Sequence, residues 1–244
     1  MVKSRKKFSI LIPAFNEEQG IIPCVEETKK VFENQDMDYE IIIIDDGSHD
    51  DTFSVATDFY AHDERVIISR YSPNQGKGFA LRHGFDLASG DLVVFMDADL
   101  DLHPEQIMTL YKYMVDNNAN VVIGSKKHPE SIVDYPWRRK ILSSGYYFLV
   151  KLLFGLPVTD TQTGLKLFEY ETLKVTMPKL LIKKFAFDLE LLVNVHKRGF
   201  KIIETPVNLS SMRLWYRITL KDVYYVWMDT MAIFYRNYIL RYYD

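Results

Sequence analysis

LVVFMDAD, residues 92–99, is a run of large apolar side chains that ends in two carboxylates. Five apolar residues with no charge among them fit a strand buried on both faces. Such strands belong to parallel sheets covered by helices. Outward from this stretch the same texture recurs. FSILIP (8–13), EIIIID (40–45), RVIIS (65–69) and NVVIG (120–124) read as further strands. Helical patterns separate them: from the polar turn Asn16-Glu17-Glu18 to about Glu33, from about Asp51 to Ala61, from Gly78 to Ala88, and from Pro104 to Asp116. Strand–helix alternation predicts an α/β fold, a mostly parallel, Rossmann-like mixed sheet flanked by helices. Ligands of such sheets bind at the carboxyl ends of the strands. Further on, GLKLF (164–168) and KIIETPV (201–207) read as strands, and Phe187 to Lys197 as a helix stopped by Gly199. The tail from Met212 reads as an amphipathic helical appendage rich in Tyr and Trp. The expected division is a domain over residues 1–210 and a tail over 211–244.

Composition narrows the function classes. The 244 residues are 48% hydrophobic and 26% charged, which excludes a disordered or collagen-like chain. A single cysteine, Cys24, excludes an internal disulfide framework and a cysteine-rich zinc site. A net charge of -3 excludes nucleic-acid binding by bulk charge. The apolar run after the basic start is too short for a signal peptide, and no apolar stretch is long enough to span a membrane. A cytoplasmic protein is expected.

Four clusters carry possible chemistry. In an extended chain Asp97 and Asp99 point the same way, and Asp101 continues the alternation. Paired carboxylates repel unless a cation lies between them, and a hard divalent ion shared with a substrate's phosphates suits them. A solvated acidic turn is the plain alternative. Asp45-Asp46-Gly47-Ser48 follows the second strand and would grip a ribose or base edge, or else cap the next helix. Pro13 to Glu18 follows the first strand, where Asn16 would otherwise cap a helix. Asn74-Gln75-Gly76-Lys77-Gly78 precedes a helix and would cradle anionic oxygens. It lacks the spacing and hydroxyl of a P-loop, and no G-x-G-x-x-G follows the first strand, so an ordinary ATPase and a dinucleotide oxidoreductase are disfavoured. Carboxylates after strands one, two and four converge on one crevice, which suits a nucleoside diphosphate with a metal.

PAFNEE, DDGSHDDT, NQGKG and DAD, in this order and spacing, closely resemble family 2 glycosyltransferases of the GT-A fold. GSK (124–126), DTQTGLKLF (160–168), FAFDLELL (185–192) and TPVNL resemble the dolichyl-phosphate glucosyltransferase branch. The resemblance covers about residues 8–210. It implies a nucleotide-sugar donor, UDP-glucose, a polyprenyl or dolichyl monophosphate acceptor, and an inverted product. Carried onto this chain, it places Pro13, Phe15, Glu17, Ile44 and Asp46 around the nucleotide. Asp97 and Asp99 would hold Mg²⁺ or Mn²⁺, with Ala98 behind the nucleotide and Asp101 as a third contact. Lys126 stands where the family has an arginine, and Arg213 falls near a basic position that neutralises the diphosphate.

The chemistry assigns the remaining roles. The cation, helped by Lys77, Lys126 and Arg213, would stabilise the departing diphosphate. A phosphate monoester, with a second pKa near ~6, is already largely dianionic at neutral pH and needs placement more than a base. Asp160 and Asp188 are candidate catalytic groups toward the acceptor or the sugar; a turn and a helix cap are their plain alternatives. Arg138, Arg139 and Lys140, with Tyr146, Tyr147, Phe148, Leu149, Leu152, Leu153 and Phe154, would form a peripheral membrane contact. The tail aromatics, with Arg213, Arg217, Arg236 and Arg241 snorkelling, would do the same or form a homo-oligomer contact. Three other readings stay open: a GDP-mannose-dependent polyprenyl-phosphate mannosyltransferase, a family 2 enzyme extending a cell-surface polysaccharide, and a silent nucleotide-sugar-binding scaffold. The polysaccharide reading calls for an acidic base motif near residue 188, which Phe-Asp-Leu-Glu matches in part.

Overall fold

The computed structural model describes residues 6–133, 137–184, 186–209 and 220–244, with side-chain surroundings for these except 137–143 and 220–223. Among the described residues seven strands form one sheet in the order β3-β2-β1-β4-β6-β5-β7. They are β1 (Phe8–Ala14), β2 (Tyr39–Asp45), β3 (Val66–Arg70), β4 (Leu92–Phe95), β5 (Val121–Ser125), β6 (Lys166–Glu169) and β7 (Ile202–Pro206). β1, β2, β3 and β4 pair in parallel, as do β5 and β7. β6 runs antiparallel between β4 and β5. The sheet is therefore the expected mixed one.

The apolar runs alternate between two cores. Leu11, Ile42, Ile44, Val93 and Phe95 face one layer. Ile10, Ile12, Ile41, Ile43 and Val94 face the other. Period-two alternation puts neighbours on opposite faces, so a strand covered on both sides must be apolar throughout. Helices α3 (Lys77–Phe85) and α7 (Phe187–Lys197) contribute to the first layer, and α1 (Ile21–Asn34) and α4 (Gln106–Asn117) to the second. The remaining helices are α2 (Thr52–Phe59), α5 (Trp137–Phe154), α6 (Tyr170–Thr176) and α8 (Leu220–Phe234). A 3-10 turn, Met177–Lys179, follows α6, and a π-helical turn, Tyr235–Ile239, follows α8.

The side-chain caps that were the plain alternatives for the starts of α1, α2 and α7 are not formed. α1 starts after Gly20 and α7 after Ala186, and no side chain caps either. The Thr52 N–H donates to Asp50 rather than being capped by Asp51. α6 has no sequence signature, because seven residues are too few to show a period.

Two expectations about the aromatic segments need correction. Among the described large apolar side chains of α5, Phe148 and Leu152 are the strongly exposed ones. Phe154 is buried and Leu153 packs on the core, so much of the expected membrane face belongs to the fold. The Arg236 guanidinium does not snorkel; it pairs with the buried Glu190. The side chains of Arg138, Arg139 and Lys140 lie outside the described ones, as do Arg213, Arg217 and the 210/211 division.

The amino-terminal rim of the sheet is closed by Glu40. Its carboxylate accepts from Ser9 Oγ at 2.6 Å, Ser89 N at 2.6 Å, Ser89 Oγ at 2.7 Å and Lys7 Nζ at 2.6 Å. Burial pushes this carboxyl up, but the Lys7 ammonium and the serine donors outweigh it and hold it below its ordinary value. A depressed carboxyl contributes stability above its unfolded value, near ~4.3, and loses it as pH falls through the folded value. Glu40→Gln is therefore expected to flatten the acid side of the stability profile. Urea unfolding from about pH 6 to 3 checks this; an unchanged acid slope would count against it.

Candidate functional site

The carboxyl ends of β1, β2 and β4 open on a cleft of about 230 Å³ lined by Pro13, Ala14, Phe15, Glu17, Asp46, Lys77, Asp97, Ala98 and Asp99. Two loops at its mouth are laced together by side chains. Asn16, at φ 56, donates its N–H to Ser48 Oγ at 2.9 Å, and its own carbonyl oxygen Oδ1 accepts from His49 N at 2.9 Å. Glu17 N–H donates to Thr52 Oγ1 at 2.8 Å. The Phe15 ring, 41% exposed, meets the edge of His49 at 5.9 Å. An exposed aromatic at a cleft mouth is a stacking platform for a flat ring.

Asp46 holds the third loop. Its two oxygens accept from Gln75 N at 2.7 Å and Gly76 N at 2.8 Å. Gly76, at φ 95, makes the turn that a side-chain-bearing residue would resist. Lys77 then begins α3 with its ammonium on Asp97 Oδ1. Burial works against charge on both partners. For Lys77 the carboxylates of Asp97, Asp188 and Asp99 outweigh it and hold the ammonium above its ordinary value. For Asp97 the ammoniums of Lys77, Lys166 and Lys126 outweigh it and hold the carboxyl below its ordinary range. Cys24 lies beneath the cleft, fully buried. Burial first, then Asp99, Asp97 and Glu17, push its thiol up to about 12, so it is an inert packing group.

Asp97 and Asp99 lie beyond the last paired residue of β4 and face the same cleft. Among the described residues no group of three or more His, Cys, Asp or Glu converges as a metal cage. Two carboxylates in a cleft fit a hard cation that takes its other oxygens from a substrate's phosphates. Asp101 does not line the cleft; its N–H donates to Asp99 Oδ1 at 3.1 Å. Ile44 is wholly buried in the core and does not line it either.

Asp160 and Asp188 also lie off the lining. Asp160 organises its own turn, accepting from Gln162 N at 3.1 Å, Thr163 Oγ1 at 2.6 Å and Lys126 N at 3.1 Å. Asp188 pairs with Lys166 at 2.6 Å, and Lys166 is 1% exposed. Burial, reinforced by Lys77, pulls this ammonium below its ordinary value despite Asp188. Glu190, the second acid of Phe-Asp-Leu-Glu, is wholly buried under Arg236 and Tyr243, which removes it as a base.

Sequence reasoning missed Lys166 and Glu204. A lysine inside LKLF was the available signal, because a charge in an apolar strand needs a partner. Glu204 accepts from Thr159 N at 2.6 Å and Asp160 N at 2.9 Å, and sits in β7 where nothing in the sequence marks it.

Comparison with known proteins adds three findings. Residues 9–176 match the glycosyl transferase family 2. Over 222 residues the chain is 32% identical to a Homo sapiens dolichyl-phosphate beta-glucosyltransferase, covering 85% of this chain and 68% of that protein. A Trichomonas vaginalis dolichyl-phosphate beta-glucosyltransferase is 30% identical over 215 residues, covering 84% of this chain and 64% of that one. The chain thus spans about two thirds of the length of these relatives. Mycobacterium tuberculosis glucosyl-3-phosphoglycerate synthase, solved with Mn²⁺, uridine diphosphate and phosphoglyceric acid, superposes with a TM-score of 0.67 at 22% identity. That superposition covers 94% of this chain and 78% of that one and establishes a shared GT-A-like fold.

Proposed function

Because this chain belongs to glycosyl transferase family 2, we propose that it transfers glucose from UDP-glucose to a polyprenyl or dolichyl monophosphate, with inversion at the anomeric carbon. The observation that carries this reading is the meeting of Asp97, Asp99 and Lys77 in one cleft at the strand ends. Names of the relatives supply the acceptor class, and the superposed synthase was solved with a uridine nucleotide and Mn²⁺.

The residues divide the work. Phe15 stacks on the base, with Pro13 and Glu17 completing that wall. Asp46 holds the Gln75–Gly76 backbone so that Lys77 projects into the cleft. Asp97 and Asp99 would hold Mg²⁺ or Mn²⁺, which supplies Lewis-acid stabilisation of the departing diphosphate. Lys77 and Lys126 add positive charge at the same place. Asp101 and Arg213 are outlying candidates for the same charge balance.

The acceptor phosphate is already largely dianionic, its second pKa lying near ~6, so placement on the far side of the sugar suffices. Placement implies a lipid surface. Exposed Phe148 and Leu152 on α5, and Tyr224, Tyr225, Trp227 and Met228 on α8, support a peripheral contact with a membrane's cytoplasmic face. Among the described residues no helix is long and apolar enough to cross a membrane.

Purified protein with UDP-glucose, Mn²⁺ and a polyprenyl phosphate is expected to yield a glucosyl phosphoryl lipid, read by mass spectrometry. GDP-mannose used in place of UDP-glucose would overturn the donor assignment. Nucleotide release without lipid product would overturn the acceptor assignment, and UDP binding without release would point to a scaffold.

A further inference from the structure

Asp97 is bracketed from two sides. Lys77 lies on one, and the bare backbone of Gly164 on the other. A Cβ at Gly164 would stand 1.8 Å from Asp97 Oδ2, 2.5 Å from Cγ and 3.2 Å from Oδ1. Gly164 is not among the glycines at positive φ, so its backbone accepts an L side chain and only the carboxylate objects.

The backbone there cannot retreat, because both flanks are tied down. Thr163 Oγ1 donates to Asp160 Oδ2 at 2.6 Å. The Thr163 carbonyl accepts from the Lys166 ammonium, which is itself held by Asp188 at 2.6 Å. The Leu165 carbonyl accepts from Gly124 N at 3.0 Å. Thr163 on one side of Gly164, and Leu165 and Lys166 on the other, are thus anchored to β5, to α7 and to their own turn.

We propose that Gly164 is a positioning residue that aims the Asp97 carboxylate into the cleft, and that Asp160 and Asp188 act through it by pinning the segment 160–166. The inference rests on the reading of the Asp97/Asp99 pair as a cation site. It assigns the two acids outside the lining a task that needs no contact with substrate. It also gives the buried Lys166 a purpose: its ammonium joins the carbonyl before Gly164 to the first turn of α7.

The test is Mn²⁺ titration calorimetry in the presence of UDP, on wild type, Gly164→Ala, Asp97→Asn and the double variant. Gly164→Ala is expected to weaken Mn²⁺ binding by about 10–100-fold, the range for outer partners of a metal ligand. Its melting temperature and its UDP affinity without Mn²⁺ should stay near wild type. In the Asp97→Asn background the same change should add little to the loss of Mn²⁺ binding, since the side chain it misaims no longer carries the ligating charge. Thr163→Val, which keeps the shape and removes the tie to Asp160, should weaken Mn²⁺ binding less than Gly164→Ala does. It serves as the readout if Gly164→Ala does not fold. Unchanged Mn²⁺ binding in both variants, or an equal further loss in the Asp97→Asn background, would overturn the inference alone. Wild-type protein that binds UDP but no Mn²⁺ would overturn it together with the cation reading.

Discussion

Asp97→Asn is expected to lower the transfer rate by about 10²–10³, the usual cost of removing one preorganised electrostatic partner from a transition state. The change is nearly isosteric, so the effect isolates charge. It takes one of two carboxylates from the proposed cation site and leaves the desolvated Lys77 ammonium without its direct partner. Phe15, Pro13 and Glu17 are untouched, so the nucleotide should still bind without metal. The signature is therefore a fall in kcat with a smaller change in metal-free UDP affinity. Single-turnover rates and calorimetry on the same preparation separate the two. Transfer within about threefold of wild type, a change of under 1 kcal/mol, would remove Asp97 from the chemistry.

Glu190→Ala is expected to cost about 3–5 kcal/mol of stability, the range for breaking one side of a buried ion pair. For a chain of this size that lowers the melting temperature by roughly 6–20 °C. Glu190 is wholly buried and takes four donors. Leu181 N and Ile182 N approach at 2.9 and 2.8 Å, the Tyr243 hydroxyl at 2.6 Å, and the Arg236 guanidinium completes the set. Alanine strands all four, and the buried cation costs most. Because Arg236 and Tyr243 belong to the C-terminal segment, limited proteolysis beyond residue 234 should accelerate in the same variant. Glu190→Gln keeps an acceptor and should lose less. A melting temperature within a degree or two of wild type would show that the pair is not a structural tie.

The strands were legible because both faces are covered. The apolar residues of EIIIID and LVVFMD could be nothing but interior, since the two alternating cores claim every one of them. The cleft was legible for a related reason: acids placed where buried strands run out have nowhere else to point. Pro13, Phe15, Glu17, Asp46, Lys77 and the Asp97–Asp99 stretch do meet there. What sequence could not show were pairings set by the third dimension. Asp188 looks like a free acid in one dimension, and only the antiparallel insertion of β6 brings Lys166 to it, whereas Asp160 takes the local turn that was its plain alternative. The helix caps failed similarly. Asn16 has the right chemistry for a cap, yet its side chain found His49 N–H across the cleft mouth. On the tail, an arginine among aromatics looks amphipathic until a buried glutamate claims it.

The Glu40 knot and the candidate cleft sit at opposite rims of the sheet, joined by the seven residues of β1. At ~3.3 Å per residue that is a separation of roughly 20 Å, about two Debye lengths in ordinary buffer. Free-energy changes at such distances add rather than interact. A search for heat-tolerant variants can therefore be confined to the rim holding Lys7, Ser9, Glu40 and Ser89. Gains found there should combine arithmetically with any change of donor or acceptor preference made at the other rim.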